Sequence, residues 1–181
     1  MNKFKPTIIA VVGASGSGKT YLSKVLQAEC NVFLIVSYTT RAKRDGEVEG
    51  VDHYYIKDAR HIHRSQMLSY TRFAGREYFA LESQVPPTQP CVYVVDEKGL
   101  KFLKERKSDR FNIVSIRVEC ESCTLVNRGI DADRILRDRD REPLPLEYYD
   151  YIIDNNGTQD EFDQKICETY EKIKQWQHPR K

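Results

Sequence analysis

No stretch of the 181 residues approaches the ~20 consecutive apolar side chains that a membrane-spanning helix requires, and Met1-Asn2-Lys3-Phe4-Lys5-Pro6 has neither an apolar core nor a cleavage site. A soluble, cytoplasmic chain without a membrane partner is the expectation. Charge of one sign is also scarce. The formal net charge is +2 although 31% of residues are charged, so no global field or polybasic tail argues for nucleic acid as a partner. The five cysteines, at 30, 91, 120, 123 and 167, are odd in number and scattered, which fits a reducing compartment and not a disulfide framework. Cys120-Glu121-Ser122-Cys123 is a lone C-x-x-C with no second pair or neighbouring histidine, at most half of a zinc site. Internal repeats and low-complexity tracts are missing too. One core fits in this length; two independent catalytic domains do not.

What the chain does have is a glycine-rich turn at the end of an apolar run. Thr7-Ile8-Ile9-Ala10-Val11-Val12 reads as a buried strand, and Gly13-Ala14-Ser15-Gly16-Ser17-Gly18-Lys19-Thr20 follows it directly. The spacing is G-x-x-x-x-G-K-[ST], the P-loop. Its glycines let main-chain amides converge, and the helix expected from Lys19 adds the positive end of its dipole. Gly13 to Thr20 are therefore the ATP-binding candidates, with Lys19 meeting the β/γ-phosphates and Thr20 offering its hydroxyl to Mg²⁺. An ordinary glycine turn is the bland alternative. The strand before and the helical spacing of Leu22, Val25 and Leu26 after supply the context that the motif needs.

Further apolar runs at 32–36, 91–95 and 112–118, with a shorter one at Tyr151-Ile152-Ile153, read as strands of a parallel sheet. Helical patterns lie between them, and Phe162, Ile166, Tyr170 and Ile173 mark an amphipathic helix near the end. Alternation of this kind predicts an α/β, three-layer P-loop NTPase-type fold. Two stretches stand apart from it. Residues 37–88, rich in Tyr, Arg, Gly and Glu, look inserted; residues 126–145 are charged, arginine-rich and poorly apolar. That second stretch is either a solvated helix face or a mobile lid that carries arginines over transferring phosphates.

Ser37-Tyr38-Thr39-Thr40-Arg41-Ala42-Lys43-Arg44 follows the second strand, at the sheet edge where ligands of open α/β folds gather. Arg41 and Arg44, with hydroxyls just upstream, suit a phosphate dianion, because the planar guanidinium bonds such oxygens bidentately. Two phosphate sites at one edge suggest a donor and an acceptor.

The P-loop, the S-Y-T-T-R-x-x-R run, Glu47-Val48-Glu49-Gly50-Val51-Asp52, Phe73-Ala74-Gly75 with Tyr78, and Tyr149-Asp150-Tyr151-Ile152-Ile153-Asp154-Asn155 together resemble guanylate kinase, in order and over nearly the whole chain. The resemblance implies a core of residues 1–36, 89–125 and 146–181, a monophosphate-binding insert at 37–88 and a lid at 126–145. It implies phosphoryl transfer from ATP to a nucleoside monophosphate, GMP by default, with Mg²⁺. It places Ser37, Arg41, Arg44 and Tyr78 on the acceptor's phosphate and Asp96 at the acceptor, although an Asp just after a strand also suits a helix N-cap. Lys19, Arg41, Arg128 and Arg137 become the catalytic candidates, with Arg134 a further lid arginine.

Departures from the family pattern fall at the acceptor. His53 stands where a phosphate-binding tyrosine is usual; its imidazole can donate, as a cation below about pH 6.5. Ser69 and Ala80 stand where the family reads guanine with a glutamate and with a Ser or Thr. A hydroxyl cannot accept from two base donors as a carboxylate does, and sites lacking matched partners lose selectivity on the order of 10⁴–10⁵. Arg72, Glu77 or Glu82 are candidate substitutes, and Tyr70 is a candidate stacking partner. Two other functions stay open at this point: a P-loop kinase of another phosphate monoester, or a non-catalytic interaction module of guanylate-kinase type, in which phosphate loops are usually damaged.

Overall fold

A computed structural model describes residues 5–138 and 141–177. The central strand β1 (Thr7–Gly13) is buried along its whole length and leads through the P-loop into α1 (Lys19–Cys30). The chain continues through β2 (Phe33–Ile35), β3 (Tyr38–Thr39), β4 (Tyr54–Tyr55), β5 (Met67–Phe73) and β6 (Arg76–Leu81). After these come β7 (Cys91–Val94), α2 (Glu97–Lys107), β8 (Asn112–Glu119), α3 (Ser122–Asn127), α4 (Ala132–Asp138), β9 (Tyr151–Asp154) and α5 (Gln159–Gln177). Five strands form one sheet in the order β2-β7-β1-β8-β9, and every pairing in it is parallel.

The layers follow from the alternation within β1. Ile9 and Val11 face one way, into a cluster with Leu22 and Leu26 of α1 and Phe162, Ile166, Tyr170 and Ile173 of α5. Ile8, Ala10 and Val12 face the other way, towards Leu100 and Leu103 of α2. A strand covered on both faces must be apolar at every position, which is why the run reads as unbroken. The expected stripe on α5 lies wholly in the first cluster. Each such side chain, fully buried, stabilises the fold by roughly 1.5–3 kcal/mol relative to exposure. Strand β2 is shorter than the apolar run 32–36 suggests. It is the sheet edge, paired only to β7, and Phe33 is 42% exposed there.

Residues 38–81 build a second sheet, in the order β4-β3-β6-β5. Its β5–β6 hairpin closes through Ala74 and Gly75, both at positive φ (47° and 73°), the backbone that a two-residue turn demands. Met67, Phe79 and Ala59 form its small core, and Tyr38 stacks on Phe79 with 5.3 Å between ring centroids. This sheet abuts α2. Ser69 Oγ donates to the Gly99 carbonyl at 3.2 Å, and a Cβ on Gly99 would stand 3.0 Å from that oxygen. A side chain at Gly99 would thus press β5 away from the core.

Candidate active site

The P-loop bends through Gly16 and Gly18, at φ +78° and +105°, and α1 starts at Lys19. Lys19 Nζ donates to the Ala14 carbonyl at 2.6 Å, while Asn155 Nδ2, from the loop after β9, holds the Ser17 carbonyl at 2.8 Å. The Ser17 hydroxyl is fully buried and has no hydrogen-bond partner. The loop already binds an anion: the Ser15 amide donates to Asp138, at the end of α4, and Ser15 Oγ donates to the other oxygen of that carboxylate at 3.1 Å. Just beyond, Arg141 donates to the Gly13 carbonyl at 2.7 Å and to Glu97 at 2.9 Å. Ile130 closes over Gly16 so tightly that a Cβ there would lie 2.6 Å from its side chain. Groups that donate to a carboxylate are of the kind that donate to a phosphate oxygen.

A cleft of about 310 Å³ runs from this loop to the second sheet, large enough for a small ligand. Ser15, Lys19, Asp138 and Arg141 line one end; Ser37, Arg41, Arg44, His53 and Tyr78 line the other. Both expected phosphate sites therefore open onto one space. Arg41 is preset by Glu47, donating to its two oxygens at 2.9 and 2.8 Å and to the Ala42 carbonyl at 2.8 Å. Tyr55 Oη and the Arg44 amide also donate to Glu47, each at 2.8 Å. Burial works against the charge on Glu47, but the bonds from Arg41, the Arg44 amide and Tyr55 outweigh it and hold the carboxyl at about 2. Ser37 Oγ lies 2.8 Å from His53 Nδ1. Burial, reinforced by nearby Arg41, pushes the His53 imidazole below 6.5, so it is neutral at pH values where an ordinary histidine is already charged.

Asp96, two residues past β7, caps α2 and lines the cleft. Its Oδ1 accepts from the Gly99 amide at 2.7 Å as the N-cap of α2, and its Oδ2 accepts from Thr71 Oγ1 at 2.7 Å, while the residue lines the cleft. Ser69 also lines the cleft, but it is 2% exposed and its hydroxyl is turned onto Gly99. Ala80 is fully buried in the core beneath and is not among the residues that line the cleft. Among the substitutes, Arg72 lines the cleft. Glu77 is engaged by Tyr70 Oη at 2.6 Å, and Glu82 is bound by Lys107 and Arg110; both lie outside it.

Thr20 is exposed on the first turn of α1. Arg128 lies apart from the cleft: its Nη2 donates to Asn155 Oδ1 at 3.3 Å and to the Gly157 carbonyl at 3.5 Å, and its Nη1 faces Cys120 Sγ at 3.7 Å. The side chains of Arg134 and Arg137 lie outside the described residues. Glu47 was read only as part of a motif and Arg141 only as one of the arginines in the 126–145 stretch; Thr71 and Asp138 were not singled out from sequence. Thr71 had a legible signal, since it shares the β5 face of Ser69 by strand alternation. Asp138 had none, because one acid among alternating charges carries no mark of its contacts.

A parallel sheet with a phosphate loop after its central strand, facing paired arginines across a cleft, defines a P-loop nucleotide-binding protein. The guanylate kinase family model matches residues 5–173. The chain belongs to the guanylate kinase family. It is 30% identical over 173 residues to a guanylate kinase of Thermotoga maritima, covering 86% of this chain and 82% of that one. Identity is 28% over 173 residues with a guanylate kinase of Blochmanniella floridana, with the same coverage of each. The crystal structure of guanylate kinase from Anaplasma phagocytophilum superposes with a TM-score of 0.69 at 21% identity, spanning 98% of this chain and 89% of that one, which bears on the fold.

Proposed function

We propose that the chain transfers the γ-phosphoryl group of ATP to GMP, giving ADP and GDP, in the reading where residues 37–88 hold the acceptor and residues 126–145 act as a lid. The observation that carries this is the shared cleft, with Lys19 and an anion-holding Ser15 at one end and Arg41 and Arg44 at the other. Phosphoryl transfer asks little covalent chemistry of a protein; alignment and charge neutralisation do most of the work. Main-chain amides of the P-loop and Lys19 would hold the donor's β/γ-phosphates. Arg41 and Arg44, with Ser37 and Tyr78, would hold the acceptor's phosphate so that an oxygen faces the donor in line.

Glu47 serves the reaction by fixing the Arg41 fork before substrate arrives, which lowers the ordering cost on binding. Arg141, lodged between the P-loop and Glu97, is better placed than Arg128 to lay positive charge on the group in flight. Magnesium fits the donor set, since this ion commonly takes one or two protein oxygens and completes its shell with waters and phosphates. The exposed Thr20 hydroxyl would be its protein ligand, and the bound ion would neutralise phosphate charge. The test is ADP release from Mg-ATP with a panel of nucleoside monophosphates and sugar phosphates, with Lys19→Ala as the control. GMP-dependent turnover abolished by that substitution is the expected result; turnover of sugar phosphates alone would overturn the assignment.

A further inference from the structure

The family positions that read guanine are spent here. Ser69 is closed onto Gly99 and Ala80 is sunk in the core, so neither offers a free polar atom to a base. Guanine's ring N1–H and 2-amino group are adjacent donors that call for two adjacent acceptor oxygens. Beside β5, a pair of cleft-lining oxygens meets that requirement. Thr71 Oγ1 and Asp96 Oδ2 are 2.7 Å apart, both residues line the cleft, and both are only partly buried.

The protons around this pair are already assigned. The Thr71 hydroxyl has one hydrogen and spends it on Asp96, which leaves that oxygen only lone pairs to present. Asp96 is gripped on both oxygens, by the Gly99 amide at 2.7 Å and by Thr71, so its carboxylate cannot rotate away without breaking two bonds. The result is a rigid, acceptor-only fork made of one hydroxyl oxygen and one carboxylate oxygen. Building it takes two elements, β5 for Thr71 and the end of β7 for Asp96, held in register by the close contact of Ser69 with Gly99.

We infer that Thr71 is a specificity-determining residue, and that the Thr71–Asp96 fork reads the paired donors of guanine in place of the missing glutamate. The inference rests on the kinase reading above and deepens it. Adenine presents a ring nitrogen acceptor beside its amino group, and uracil presents carbonyls on both sides of one N–H. Each sets a lone pair against the fork, and such mismatches are rejected because the buried polar groups are left unpaired. Inosine monophosphate keeps the ring N–H and lacks the amino group, so it isolates one half of the recognition.

The test compares GMP, IMP, AMP, CMP and UMP as acceptors with saturating Mg-ATP, for the unaltered chain, Thr71→Val and Thr71→Ser, with thermal melting as the check on folding. The unaltered chain is expected to rank GMP above IMP and both well above AMP and UMP. Thr71→Val is expected to raise KM for GMP about tenfold or more, leave KM for ATP unchanged, and narrow the GMP-over-AMP ratio by a similar factor. Thr71→Ser, which keeps the hydroxyl, is expected to retain most of the preference. An undiminished GMP preference in a folded Thr71→Val protein overturns the fork while leaving the kinase reading intact. Absence of turnover with every monophosphate would bring down that kinase reading, and the fork with it.

Discussion

At the P-loop end of the cleft, the proposed donor end, the groups on offer are main-chain amides and one lysine; at the other, the proposed acceptor end, they are guanidiniums, hydroxyls and an imidazole carried by the second sheet and its loops. The first kind of site depends on where glycines fall, because the loop needs φ of +78° and +105° at Gly16 and Gly18 and open approach at Gly13. The second depends on which side chains meet, and each of those is set by a partner: Glu47 for Arg41, His53 for Ser37, Thr71 for Asp96. A backbone cradle tolerates drift in most of its side chains. A side-chain clamp changes meaning with one substitution.

The contrast is tested most severely at Lys19. Lys19→Ala is expected to lower kcat by about 10²–10³-fold with little change in acceptor binding, measured by steady-state kinetics beside equilibrium binding of GMP. Arg41→Ala is next. It should cut kcat/KM for the acceptor by about tenfold to a hundredfold while KM for ATP holds, and it should also lower the melting temperature, because Glu47 loses the bonds that offset its burial.

Removing the competing anion tests the donor end from the opposite direction. Asp138→Asn keeps the shape and deletes the charge, and ATP binding without acceptor, followed by calorimetry, is expected to tighten about two- to tenfold. Acid then separates the two ends. Glu47, held at about 2 against an ordinary 4.5, contributes stability that is complete above pH 4.5 and is lost as pH falls towards 2. His53, held below 6.5, contributes stability that is complete above pH 6.5 and declines as pH drops through its own lowered value. Both act in one direction, so denaturant titrations of Glu47→Gln across pH 4.5 to 2 should show a flatter acid limb than the unaltered chain. The smallest effect belongs to the C-x-x-C: Cys123 is exposed, and Cys123→Ser should leave stability within ~0.5 kcal/mol and turnover unchanged.

The same contrast explains what could be read in advance. The core strands announced themselves because burial on both faces forces unbroken apolar runs, and the P-loop because its glycines are required by backbone geometry. Arg41, Arg44, Ser37 and Tyr78 were recognisable as a pattern, and they do line one cleft. Ala80, expected near the acceptor, is buried in the cluster that also holds Leu68. Arg128, expected at the transferring phosphate, hydrogen-bonds to Asn155 and to the Gly157 carbonyl in the loop after β9. Nothing in the order of charges from 126 to 145 distinguishes Asp138 and Arg141 from their neighbours. Only folding α4 back over the loop does so.

Asp138 has a consequence for how a nucleotide gets in. In the proposed reaction, a triphosphate arriving at Ser15 would meet like charge already seated there, so its arrival would swap one anion for another. The evicted carboxylate belongs to the same short stretch of chain that lays Ile130 over Gly16 and Arg141 against Gly13. On that reading, loading the donor would shift that stretch as well, and a reporter group beside Asp138 would register both at the same instant.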